Sequence, residues 1–214
     1  MPTPAPRTWI YFLSLEGFSH VESSDSAKIT KINRYRIDSV AQIRGESVTD
    51  FKPGAEIVRV NASEPLIHCQ YALAGCTQHL HYTSDVQRDR LLDISLKEIP
   101  PNEQPLAVLI PIRRADSWWN LGHNTRWMNM NGSASHRGHN AIGEDFAPQI
   151  FRQLVHSRYL DSSKRPYDFL TYFEFQPSAR ETFNSLLHKL RDIASNPEWA
   201  HVEMEQEIWM RKMG

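Results

Sequence analysis

A histidine and an arginine thirteen positions apart, His139 and Arg152 in SHRGHNAIGEDFAPQIFRQLVHS, carry the side chains best suited to chemistry in this chain of 214 residues. A neutral imidazole can donate one ring nitrogen to a metal while the other holds an acceptor, and an always-charged guanidinium can hold an anion. Upstream, Arg114 and the pair Trp118 and Trp119 in IPIRRADSWW supply a cation and two broad aromatic faces, suited to meeting a carboxylate and packing against a ring system. Downstream, Glu174 in YDFLTYFEF and Glu198 in NPEWAHVE each set a carboxylate among aromatic residues. No one of these is a site alone, because the chain has ten histidines and His136 stands one helical turn before His139. His123, His136, His139 and His156 would suffice for zinc, copper or iron if folding gathered them, yet their irregular spacing forms no compact chelating motif. No nucleotide loop or hydrolase nucleophile motif competes.

The elements that must position these residues follow from periodicity. PLAVLIPIRR reads as a continuous apolar strand, suited to a sheet covered on both faces, and YDFLTYFEF as a second strand. Helices are expected in ADSWWNLGHNTRWMNM and in EDFAPQIFRQLVH, where Phe146, Ile150 and Leu154 form an apolar stripe from which Arg152 projects away. A helix from about Ser178 to Ala194 carries Phe183, Leu186, Leu187, Leu190 and Ile193 at helical spacing, with Ser178 and Glu181 placed for a capping box. In HVEMEQEIWMR, Val202, Met204, Ile208 and Met210 alternate with Glu203, Glu205 and Glu207, the pattern of a half-solvated strand. The first half reads as strands at 8–15, 35–43, 55–60 and 66–75, with SHVESSDSAKITKIN as a polar loop between the first two. SDVQRDRLLDISLKEI reads as a helix capped by Ser84 and Gln87 and ended by Pro100 and Pro101. The order of the later elements resembles a ferredoxin-like unit.

Composition narrows the classes of partner. With 24 Lys plus Arg against 25 Asp plus Glu, the chain has no broad basic surface for phosphate backbones, which argues against nucleic acid. No stretch reaches the length of apolar residues that a membrane span needs, and no clean leader precedes the first strand. Cys69 and Cys76 sit among apolar neighbours, as thiols of a reducing compartment do, so a cytoplasmic protein is expected.

Taken in order, LAVLIPIRRADSWW, SHRGHNAIG, APQIFRQLVHSRYL and YDFLTYFEF resemble the short, cytoplasmic form of the chlorite dismutase family. Weaker similarity runs over most of residues 35–211, and the motifs concentrate in 106–175. The resemblance implies an α+β fold in which two ferredoxin-like halves, residues 1–102 and 103–214, form a dimeric α+β barrel. It further implies heme b, an iron porphyrin, in the C-terminal half, and a homodimer of subunits, symmetric dimers being also the commonest soluble oligomers. His139 matches the family's iron ligand, preferred over His136 by its spacing to Arg152, and Arg152 matches the arginine that faces the substrate. Arg114, Trp118 and Trp119 match a basic and aromatic cluster at the cofactor, although a lysine is usual where this chain has Arg114. Glu198 matches the carboxylate behind the imidazole, with Glu174 as its rival.

The activity so implied is heme-dependent conversion of chlorite to chloride and dioxygen, with Arg152 retaining a small oxyanion. Decarboxylating relatives lack an arginine at that position, which favours oxyanion chemistry. The alternatives are another heme redox or peroxidase-like activity, and a heme-free interaction or metal-binding protein on the same fold. Two departures stand out: the segment between Arg126 and His139 is longer than in relatives, which would displace the ligand, and His81 replaces a customary arginine.

Overall fold

A computed structural model describes residues 8–66, 72–77, 82–157 and 166–214. Cys69, His81 and part of the expected strand at 66–75 lie outside the described residues. Eight strands among them close into one barrel: β1 (Trp9–Ser14), β2 (Ile29–Arg44), β3 (Glu56–Ala62), β4 (Leu73–Thr77), β5 (Leu106–Arg114), β6 (Phe151–His156), β7 (Phe169–Phe175) and β8 (Val202–Met213). Their order around the barrel is β1-β3-β2-β8-β5-β7-β6-β4, every pair antiparallel. Each run of four strands takes the fourth-first-third-second order of a ferredoxin-like unit, and the pairs β2–β8 and β4–β6 join the two runs. Closure leaves no open sheet edge.

Alternation along each strand decides what the two surfaces of the sheet carry. Inward, Ile10 and Phe12, Tyr35 and Ile37, Leu170 and Tyr172, and Ile208 and Met210 fill the barrel. Outward, Tyr11, Leu13, Val58 and Val60 lie under Phe18 and Val21 of α1 (Leu15–Asp25). On the other side, Val108, Ile110, Phe173 and Phe175 lie under Phe183, Leu186 and Leu187 of α6 (Arg180–Arg191) and under Ile142 and Phe146 of α5 (His139–Phe146). Full burial of a side chain such as Phe183 stabilises by about 2–3 kcal/mol. Shorter helices complete the second half, namely α2 (Asp85–Ile94), α3 (Asp116–Trp119) and α4 (His123–Asn131).

Five local expectations change. The helix expected through EDFAPQIFRQLVH stops at Phe146, and Arg152 lies on β6. Pro148 cannot donate to the helix ladder, and the residues beyond it pair with β7 instead, Arg152 opposite Phe173. The polar segment after β1 is not a loop: Ser14 accepts from Gly17 N to cap α1, and β2 already begins at Ile29. Before α6, Pro177–Ala179 form a tighter turn, so the helix starts at Arg180 without a side-chain cap, and Ile193 falls beyond its end and is exposed. The Ser84–Gln87 capping box of α2 is formed, but the helix ends at Ile94, well before Pro100. Glu205 and Glu207 of β8 are buried rather than solvated, because Arg191 of α6 reaches over and bonds both, at 2.6 and 2.5 Å. Among the described residues, no helix is long and apolar enough to cross a membrane.

Candidate functional site

A cavity of about 490 Å³ lies between the outer face of β5, β7 and β6 and the helices α2 and α5, within the usual range for small-molecule sites. Its walls are largely apolar, with Leu91 and Leu96 on the α2 side and Ile112, Leu154 and Phe169 on the sheet side. The outward alternation of β6 delivers Arg152, Leu154 and His156 to this space.

His139 opens α5, and the chain turns into it through Gly138 at φ 79°. A Cβ on Gly138 would stand 2.3 Å from Gly132 N, so only glycine fits, and its own N–H donates to Ser195 O at 3.0 Å. The segment between Arg126 and His139, expected from sequence to displace the ligand, is folded on itself, with Ser133 bridged to His136, and neither its serines nor His136 line the cavity.

The imidazole is held from both sides. Arg152 Nη2 lies 2.6 Å from His139 Nε2. A guanidinium can only donate, so Nε2 is the acceptor and the ring proton resides on Nδ1. Glu198 Oε2 lies 2.7 Å from that Nδ1, close but out of line, since this oxygen completes no hydrogen bond of standard geometry. The other Glu198 oxygen touches Arg114 Nη2. Burial, with the nearby Arg152 and Arg114 charges, pushes the His139 pKa well below its ordinary value, so the ring is neutral at pH 7. Burial also pulls Arg152 down to about 10, and among the described residues no carboxylate bonds it to offset this.

Arg114 is clamped between rings, its guanidinium carbon 4.2 Å from the Trp118 centroid and 4.7 Å from that of Phe169. Trp118 is fully buried beneath it, against Tyr82, and does not line the cavity. Trp119 does line it, stacked on Phe169. The structure thus joins His139, Arg152, Glu198 and Arg114 in one run of contacts, with a tryptophan beneath and another on the wall. Glu174 stands apart, on the inner face of β7, where it accepts from Tyr172 OH, Lys212 Nζ and Ile99 N.

Among the described residues, no three His, Cys, Asp or Glu side chains gather to hold a metal, so the four histidines weighed from sequence form no ion site. A porphyrin iron asks for less, a single axial imidazole in an apolar cleft. The neutral His139 imidazole, the apolar walls and the buried Arg152, which bonds no carboxylate among the described residues, fit such a group. Sequence reasoning passed over Gly143 and Phe169, both on the cavity wall. Glycine one helical turn after a candidate ligand is a signal available in the sequence; the position of Phe169 is fixed only by strand register.

No protein-family model matches the chain. Over 126 residues, 58% of its length, the chain is 29% identical to the chlorite dismutase of Ideonella dechloratans, and the match spans only 40% of that relative. Its fold is similar to a dimeric chlorite dismutase from Nitrobacter winogradskyi, with a TM-score of 0.66 and 26% identity over 84% of this chain and 99% of the other. It is also similar to chlorite dismutase from Candidatus Nitrospira defluvii in complex with imidazole, with a TM-score of 0.63 and 18% identity over 97% and 90% of the two chains.

Proposed function

We propose that this chain, which belongs to the chlorite dismutase family, is a heme-dependent oxidoreductase that converts chlorite to chloride and dioxygen. The observation that carries this reading is a neutral imidazole and a buried guanidinium that meet each other at one apolar cavity, with Glu198 behind the ring. His139 would hold heme b through Nε2, and the bound heme would supply the oxygen-atom transfer by which chlorite becomes chloride and dioxygen. Glu198, with Oε2 2.7 Å from Nδ1, is placed to orient the ring and to take the Nδ1 proton's hydrogen bond, which would make the imidazole a stronger donor. Arg114 and Trp119, both on the cavity wall, would meet the cofactor's acidic groups and its ring face. Arg152 attracts the oxyanion and keeps it in the cavity; its burial removes water that would screen the charge. Residues 103–214 would form the cofactor-holding half of a cytoplasmic homodimer.

The test is an absorbance titration with heme followed by an oxygen electrode. Wild-type protein takes up one heme per chain and releases dioxygen from chlorite, whereas His139→Ala loses the axial imidazole signature and Arg152→Ala loses roughly tenfold to a few hundredfold in rate or turnover number. A fully loaded wild-type protein that releases no dioxygen would falsify the chlorite reading, and activity on peroxide alone would move the assignment to a peroxidase.

A further inference from the structure

Arg152 and His139 meet directly, although a ring nitrogen has one lone pair to give. A guanidinium N–H and a ligated metal cannot share it. Helix α5 sets His139 and Gly143 one turn apart on the face that lines the cavity. One end of the guanidinium, Nη2, bonds His139 Nε2 at 2.6 Å, and a Cβ built on Gly143 would come within 3.0 Å of the other end, Nη1. The arginine therefore rests against the bare backbone of residue 143, where a methyl group would press on Nη1 and shift it by a few tenths of an ångström.

We propose that Gly143 parks the Arg152 guanidinium on the His139 imidazole, making the arginine an internal stopper that any ligand of that nitrogen must displace. This rests on the preceding reading of the cavity. The parked state is held by few contacts, since Arg152 is buried, bonds no carboxylate among the described residues, and leaves its Nε without a partner. The adjoining cavity of about 490 Å³ gives the side chain somewhere to go. A ligand binds only the fraction of molecules in which the stopper is open, so its apparent affinity falls by that fraction. A single hydrogen bond from a charged donor places the open fraction at roughly one in ten or less. Displacement also frees the cation to meet an anion, so that filling the axial position readies the cavity for its second occupant.

The contact is tested first without heme, by nitrogen-15 NMR of protein labelled at histidine, with His139 assigned through His139→Gln. The His139 Nε2 resonance in the wild type carries the shift of a hydrogen-bond acceptor, Arg152→Leu moves it to that of a free neutral ring, and Gly143→Ala moves it part of the way. Heme uptake, followed by absorbance, is then roughly tenfold faster and tighter in Arg152→Leu than in the wild type. An Nε2 shift unchanged in both variants overturns the proposal, as does heme uptake equal to or slower than wild type in a folded Arg152→Leu protein. If the shifts respond as stated and heme binds none of the proteins, the contact between the two side chains stands and the heme assignment falls. Gly143→Ala keeps both polar groups and gives an independent reading should Arg152→Leu fold poorly.

Discussion

Two clusters of charge lie back to back across the same sheet. Inside the barrel, Lys212 spends all three donors, on Glu98 at 3.1 Å, Glu174 at 2.8 Å and Ile99 O at 2.8 Å. Arg59 meets Glu98 at 3.3 Å and Gln153 at 2.5 Å and lies over the ring of Tyr172, whose hydroxyl is 2.8 Å from that of Tyr35. Burial pushes both tyrosine hydroxyls up, which keeps them protonated as donors. Outside, one residue along from Gln153, Arg152 has a ring nitrogen for company and empty space beside it. The inner cluster is closed, each carboxylate matched by cations of the same protein; the outer one is left open toward a cavity. Closed networks hold strands in place, whereas an open one lacks a partner that a ligand can supply.

The difference can be broken at either side. The largest effect is expected inside: Lys212→Met leaves Glu174 buried without its cation and costs about 3–5 kcal/mol of stability in urea unfolding, while heme affinity of the folded fraction is unchanged. A loss under about 1 kcal/mol would mean the inner cluster is not structural. Outside, Glu198→Gln weakens heme binding roughly 10- to 100-fold in an absorbance titration, and because it also takes the carboxylate from buried Arg114 it lowers the urea midpoint, though less than Lys212→Met does, since the amide oxygen still accepts from the guanidinium. An equal loss of stability would merge the two clusters into one kind. The smallest effect is in acid. Burial raises the pKa of Glu98, but Arg59, Lys31 and Lys212 together outweigh it and hold the group below its ordinary 4.5. Its contribution to stability is therefore complete above about pH 4.5 and is lost as pH falls through the lower folded value. Thermal midpoints measured downward from about pH 5 should decline less steeply in Glu98→Gln than in wild type.

How much of this was legible depends on what a pattern can report. Strands β5 and β7 are legible because each carries an apolar run long enough to exclude the alternative; β8 and α6 are legible as elements, but not the burial of the β8 glutamates or the uncapped start of α6. The strand holding Arg152 is not legible, since Phe146, Ile150 and Leu154 fall at helical spacing and Pro148 alone opposes a helix there. The glutamates of β8 match the pattern of a solvated face because alternation says that two faces differ, not what lies over the second. The meeting of Glu198 with His139 depends on a turn far along the chain, and nothing local to either residue announces it. Arg59 and Lys212, the centre of the inner cluster, had a signal that went unused: each follows an inward apolar residue by two positions, Ile57 and Met210, and so points inward itself.

That parity has an evolutionary side. Along β6, successive residues belong to different compartments, and the strand can change its chemistry by substitution at any one position without disturbing its neighbours. It cannot change its length. One codon inserted between Ile150 and Arg152 would exchange the two compartments for every residue that follows, turning the arginine inward beside Arg59 and offering Gln153 to the cavity. A substitution at position 152 therefore touches the outer cavity alone, whereas a one-residue change of length before it would touch both compartments at once.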